Sequence, residues 1–98
     1  MKVKWSNRAI DCVQEISDYI ALDNPTAAEK WVDNIFDKVQ ILSSTPEIGR
    51  IVFELSMDSV RELIFGNYRI IYQIHDKVVL IIAVRNFKQI LSIDVGGL

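Results

Sequence analysis

Apolar residues in the first half of the chain recur at three- and four-residue intervals, and in the second half they run in short β-branched stretches. Val3-Lys4-Trp5 alternates like a short strand. Ser6 is a good helix cap, and the positions that follow, Ala9, Ile10, Val13, Ile16 and Ile20, form one helical stripe. Asp11, Glu15 and Asp18 take the opposite side, so an amphipathic helix is predicted from about Asn7 to Leu22. Asp23-Asn24-Pro25 stops it, because a residue before proline is pushed out of the α region. The same proline suits the first turn of a new helix capped by Asn24. That helix carries Ala28, Trp31, Val32, Ile35, Phe36, Val39 and Leu42 on its inner face and ends near Ser44. With so short a link the two helices must pack antiparallel.

After Gly49 the period changes. Val60–Phe65, Tyr68–Ile74 and Val78–Arg85 read as three strands of a meander, separated by Gly66-Asn67 and by His75-Asp76-Lys77. Gly-Asn suits a type II′ turn, since glycine accepts positive φ at the first turn position. Residues 49–59 are open between an extended edge segment and a covering loop. A short closing turn of helix is expected over 86–95. The fold class is therefore α+β, a two-layer arrangement in which a helical hairpin packs on a small antiparallel β-sheet in the order β-α-α-β-β-β, with residues 1–98 forming a single domain. Two helices cover only one side of such a sheet. The other side is expected to be concave, wet or occupied by a partner, and function is expected there.

Composition narrows the classes. Half of the 98 residues are apolar and 24% are charged, with four glycines and two prolines, which excludes disorder and collagen. A chain of this size buries roughly 60–70% of its unfolded surface, enough for a core without staples. One cysteine, Cys12, cannot make an internal disulfide, and one histidine, His75, is too few for an ordinary zinc site. No metal or cofactor is expected, and a reducing cytoplasmic setting is the default. The longest apolar run, Val78–Val84, is far short of the roughly 20 residues a membrane helix needs, and the first residues lack the apolar core of a secretory signal.

The net charge of −2 argues against a general nucleic-acid binder. The charge is nevertheless uneven. Acidic side chains dominate from Ser6 to Glu47, whereas from Ile48 onward Arg50, Arg61, Arg69, Lys77, Arg85 and Lys88 slightly outnumber the acids. A local positive surface on an acidic protein follows from such asymmetry, although scattered surface charge also accounts for it.

No phosphate-binding glycine loop, metal-binding spacing or nucleophile elbow is present. Cys12 lies beside the apolar stripe and reads as a semi-buried, unreactive thiol; His75 reads as a solvated turn residue with Asp76 as its only evident carboxylate neighbour. The carboxylates spaced by four along the helices make a solvated acidic face, not an acid/base pair. Arg69 stands apart, because an arginine within a strand needs an anionic partner. Two kinds are open: Glu62 or another sheet carboxylate, or else a phosphate or an acidic residue of a bound protein. Alternation places Arg69 with Ile71 and Gln73, opposite Ile70, Tyr72 and Ile74. A three-residue turn at His75 would add Ala83 and Arg85 to the Arg69 face, and a two-residue turn would send Arg85 to the other side.

The order of these segments resembles the RelE/ParE superfamily of bacterial toxins from type II toxin-antitoxin modules, also described as plasmid-stabilisation proteins. The likeness rests on Leu42-Ser-Ser-Thr-Pro46-Glu-Ile-Gly49-Arg50, Val60-Arg61-Glu62-Leu63, Gly66-Asn-Tyr68-Arg69-Ile-Ile-Tyr72-Gln73-Ile74 and Val84-Arg85-Asn86-Phe87-Lys88, and it spans nearly the whole chain. It implies a small cytoplasmic growth inhibitor held silent by a cognate antitoxin protein, as a toxin-antitoxin hetero-oligomer or with a homodimer. The antitoxin is expected to cover the sheet, and an unoccupied apolar sheet face should make the isolated toxin aggregation-prone. RelE-like members cleave messenger RNA on the ribosome with cationic side chains; ParE-like members inhibit DNA gyrase without being nucleases. On the ribonuclease pattern Arg69, Lys88, Arg61 and Arg85 would hold the scissile phosphate. Leu91 stands where that pattern expects a tyrosine, and Val60–Phe65 lacks its lysines. Transfer from a 2′-hydroxyl needs a proton acceptor as well as cations, and only the cations are offered. The resemblance therefore favours the ParE-like branch, with Arg50, Arg61, Arg69, Gln73, Arg85 and Lys88 as target- or antitoxin-binding residues.

Overall fold

The structure is a computed structural model that describes residues 1–55 and 57–87. Lys88, Leu91 and all but the first two residues of the expected closing helix lie outside the described residues. Strand β1 (Lys2–Trp5) leads into helix α1 (Asn7–Ala21) and helix α2 (Pro25–Val39), which tightens into a 3₁₀ turn over Gln40–Ser43. Four further strands follow: β2 (Arg50–Ile51), β3 (Val60–Phe65), β4 (Tyr68–His75) and β5 (Val78–Asn86). The Ser6 hydroxyl accepts from the Ala9 amide at 3.0 Å to start α1, and the Asn24 side chain accepts from the Ala27 amide at 3.0 Å to start α2. Pro25 occupies the first turn, where its missing N–H leaves nothing unpaired.

The sheet order is β1-β5-β4-β3-β2. It is a mixed sheet, not the purely antiparallel one expected, because β1 runs parallel to β5, pairing Lys2–Trp5 with Val78–Ile81. A parallel neighbour requires a long crossover, and everything between β1 and β5 supplies it. Both helices pack on the face bearing Tyr68, Ile70 and Tyr72. Trp31 meets Tyr68 edge-on with ring centroids 5.3 Å apart, and Trp5 packs on Phe36 with tilted rings 4.6 Å apart. Ile35, Val39, Leu42, Ile70, Tyr72 and Ile81 are fully buried there, each side chain contributing roughly 1.5–3 kcal/mol by leaving water.

The turns decide which strand residues meet. Gly66 has φ 59°, and among the described non-glycine residues only Asp76 takes a positive φ, so Gly66-Asn67 matches the type II′ expectation. The second hairpin closes on two residues, Asp76 and Lys77, with His75 opposite Val78. A two-residue turn was expected to send Arg85 away from Arg69; the two are backbone partners across β4 and β5, while the Arg85 guanidinium turns away to α1. The register slips by one where Ile71 pairs with Ala83 and Tyr72 with Ile81, so that Ile82 bulges out of the ladder and restores the alignment.

The sheet face away from the helices is not left open. Val60, Ile71 and Ala83 on that face are fully buried, and Val52 and Leu55, from the stretch after β2, belong to the same apolar cluster. Arg50–Ile51 thus form an edge strand and residues 52–55 continue as a covering segment, combining the two readings that sequence left open.

Candidate functional site

Four charged side chains meet at the β2–β3–β4 corner of this distal face. Arg50 of β2 stands opposite Glu62 of β3, and its Nε donates to Glu62 Oε1 at 2.8 Å. Two residues from Glu62 along β3 lies Ile64, whose cross-strand partner is Arg69; Arg69 Nε donates to Glu62 Oε2 at 2.7 Å. The outer fork of the Arg69 guanidinium is then clasped by Glu54, with Nη1 to Oε2 at 2.7 Å and Nη2 to Oε1 at 3.0 Å. Cation and anion alternate along this chain of four, and their charges cancel.

Burial grades the network. Arg69 is 7% exposed and Glu62 2%, whereas the Arg50 side chain is 61% exposed and that of Glu54 40%. The two-pronged bond from Arg69 holds the Glu54 carboxyl below the ordinary carboxylate range. In return Glu54, with Glu62 behind it, drives Arg69 further into its charged form against the opposing effect of burial. The inner pair satisfies a charge that would otherwise be buried alone; removing one partner of such a pair costs about 3–5 kcal/mol. Around the outer pair lies a shallow cleft of about 310 Å³ rimmed by Ile51, Phe53 and Phe87, with the Arg50 guanidinium 6.0 Å from the Phe87 ring centre.

The other candidate residues fall elsewhere. Arg61 lies on the helix side of β3, where Nη1 donates to the carbonyls of Gly49 at 2.9 Å and Glu47 at 3.3 Å, and its buried Nε has no partner among the described residues. It supports the loop after α2 together with Tyr72, whose hydroxyl donates to Pro46 O at 2.7 Å and accepts from the Gly49 amide at 2.9 Å. Burial pushes the Tyr72 phenol pKa up, partly offset by that amide. Arg85 turns toward α1, with Nη1 2.9 Å from the Cys12 sulfur. Gln73 is half-buried between Val60 and Leu80, farther along β4. His75 is solvated, 3.5 Å from Asp76. Among the described candidate residues, then, only the side chains of Arg50 and Arg69 come together.

Of the two kinds of partner left open for Arg69, the structure shows carboxylates of the same chain. Its guanidinium is enclosed by carboxylates of the same chain, because β3 presents Glu62 on the same face and the segment after β2 brings Glu54 across it. Glu62 was a foreseeable partner from strand pairing. Glu54 was not, since residues 49–59 carry no period that would fix where residue 54 points; the only sequence signal is an acid within reach of a strand arginine that needs one. Among the described residues no group of three or more His, Cys, Asp or Glu side chains is placed to hold a metal ion.

Comparisons with known proteins agree with this architecture. A solved structure described as the chromosomal ParDE TA system from P. aeruginosa superposes with a TM-score of 0.74, at 24% identity, covering 88% of this chain and 95% of that one. At that identity the likeness is one of fold. None of the curated proteins matches in sequence. The family model described as ParE toxin of type II toxin-antitoxin system, parDE, matches residues 3–91. A match of that extent, over the same strand–hairpin–meander framework, means that the chain belongs to the ParE toxin family.

Proposed function

We propose that this toxin arrests bacterial growth by binding DNA gyrase, without cutting RNA itself, and that a cognate antitoxin bound to it keeps it silent. The observation that carries the reading is the enclosure of Arg69. A ribonuclease of the RelE kind needs strand cations turned toward a phosphate, whereas here the strand arginine is buried and saturated by Glu62 and Glu54. Arg61 is engaged with backbone carbonyls on the other side of the sheet. What remains is a folded surface suited to binding, on a protein whose net charge of −2 disfavours a long phosphate backbone.

Gyrase places the site of action in the cytoplasm, and among the described residues no helix is long and apolar enough to cross a membrane. The antitoxin partner is supported by family membership and by the paired ParDE system to which the fold is similar. The test uses purified toxin in two assays. Supercoiling by gyrase is expected to stop at micromolar toxin, with cleaved DNA accumulating, and added antitoxin restores it; ribosome-bound message stays intact. Codon-positioned cuts in that message, with gyrase unaffected, would reverse the assignment in favour of the ribosome and its mRNA.

A further inference from the structure

The outer half of the Arg69 network has the form of an occupied recognition site. Two ion pairs share one guanidinium, but they differ in kind. Glu62 is a strand residue, 2% exposed, and its carboxylate is held from both sides by Arg50 and Arg69. Glu54 belongs to the irregular stretch between β2 and β3, its side chain is 40% exposed, and among the described side chains only that of Arg69 is bonded to its carboxylate, beside its own backbone amide. An exposed carboxylate on an extendable side chain is exchangeable; the inner one is not.

From this geometry we infer that Glu54 is an internal stand-in, and that the Arg69 fork is a receptor for the carboxylate of an acidic peptide segment whose aspartate or glutamate side chain displaces Glu54. Three observations define the ligand. The two oxygens of Glu54 sit at 2.7 and 3.0 Å from the two terminal nitrogens, the flat, two-pronged arrangement that a carboxylate matches. Displacement of Glu54 leaves the corner with Arg50 and Arg69 against Glu62, one positive charge in excess, which a single incoming carboxylate cancels. The rim is apolar, with Phe53 89%, Ile51 44% and Phe87 43% exposed, so the neighbour of the acidic residue is a large apolar side chain. The occupant is thus an apolar–acidic peptide pair. Only the Glu54 side chain need swing outward, because Val52, two residues earlier, stays anchored in the core. Recognition of this kind is independent of which cellular machine the toxin arrests.

The test follows the Arg69 Nε–Hε resonance of the full-length ¹⁵N-labelled protein during titration with blocked Phe-Glu dipeptide, blocked Phe-Gln dipeptide, or inorganic phosphate. Removing the internal competitor with Glu54→Gln is expected to tighten Phe-Glu binding about tenfold over the unmutated protein, the effect of one charge-assisted hydrogen bond. Phe-Gln should bind about tenfold more weakly than Phe-Glu, and phosphate more weakly too. Equal affinity of the two proteins for Phe-Glu overturns the displacement, and equal binding of Phe-Gln, or tighter binding of phosphate, overturns the carboxylate assignment. Should Glu54→Gln disturb folding, unmutated protein gives the answer through the ¹³C resonance of the Glu54 carboxyl, the group that leaves the Arg69 fork. Saturating Phe-Glu is expected to move it to the position of a solvated glutamate while Phe-Gln leaves it in place; an unmoved resonance with saturating Phe-Glu overturns the inference.

Discussion

At position 49 no side chain fits. A Cβ built there would lie 2.5 Å from the Tyr72 hydroxyl and 2.7 Å from the Glu62 carbonyl, both held in place by the sheet. Gly49→Ala is therefore expected to lower stability by about 1–3 kcal/mol or more, because overpacking forces the phenol out of its bonds. Tyr72→Phe removes only the hydroxyl part of that contact, leaving the ring carbon Cε1 at 2.8 Å and the Glu62 carbonyl at 2.7 Å, and it strands the Gly49 amide, at a cost of about 1–3 kcal/mol. Urea unfolding of the two single variants and the pair would show less than additive loss, since both act on one contact. The acid limb of stability tests Glu54. Its carboxyl titrates lower folded than unfolded, so its contribution is complete above the unfolded value and fades as pH falls through the folded one. Unfolding midpoints are expected to drop below about pH 4.5, and Glu54→Gln should flatten that part of the curve; solvent screening keeps the effect modest.

Among the elements, those with strong periodicity were legible from the chain and those without were not. Both helices begin at Ser6 and Asn24 as their caps and stripes foretell, and β3, β4 and β5 start where the apolar runs start. The second helix tightens into a 3₁₀ turn after Val39, a distinction that spacing alone does not carry because Leu42 stays buried either way. The Ile82 bulge was also hidden, since an extra residue in a wholly apolar run leaves the pattern unchanged. β2 spans two residues and Glu54 follows it without a period, so the half of the site that encloses Arg69 could not be read in advance. The two caps differ in what they touch. Ser6 also donates from its hydroxyl to Ile82 O at 3.1 Å, joining α1 to the bulge, whereas the Asn24 bond is exposed. Ser6→Ala is accordingly expected to lower stability by up to about 2 kcal/mol and Asn24→Ala by about 1 kcal/mol, measured as shifts in thermal midpoint.

On the scale of the whole molecule, the two-layer design was readable because two amphipathic helices and three apolar strands have few ways to bury their faces together. Its symmetry was misjudged. Both sides of the sheet are covered, one by the hairpin and the other in part by the stretch after β2, so the charged corner became a closed internal circuit and not an open flank. The parallel seam between β1 and β5 has a consequence for how the toxin comes into being. Lys2–Trp5 finds its pairing partner only in Val78–Ile81, more than seventy residues downstream. A nascent chain must therefore extend past Ile81 before Lys2–Trp5 can dock, and contacts so distant along the polypeptide slow folding. The bacterium gains an interval during synthesis in which the poison has been written but is not yet assembled.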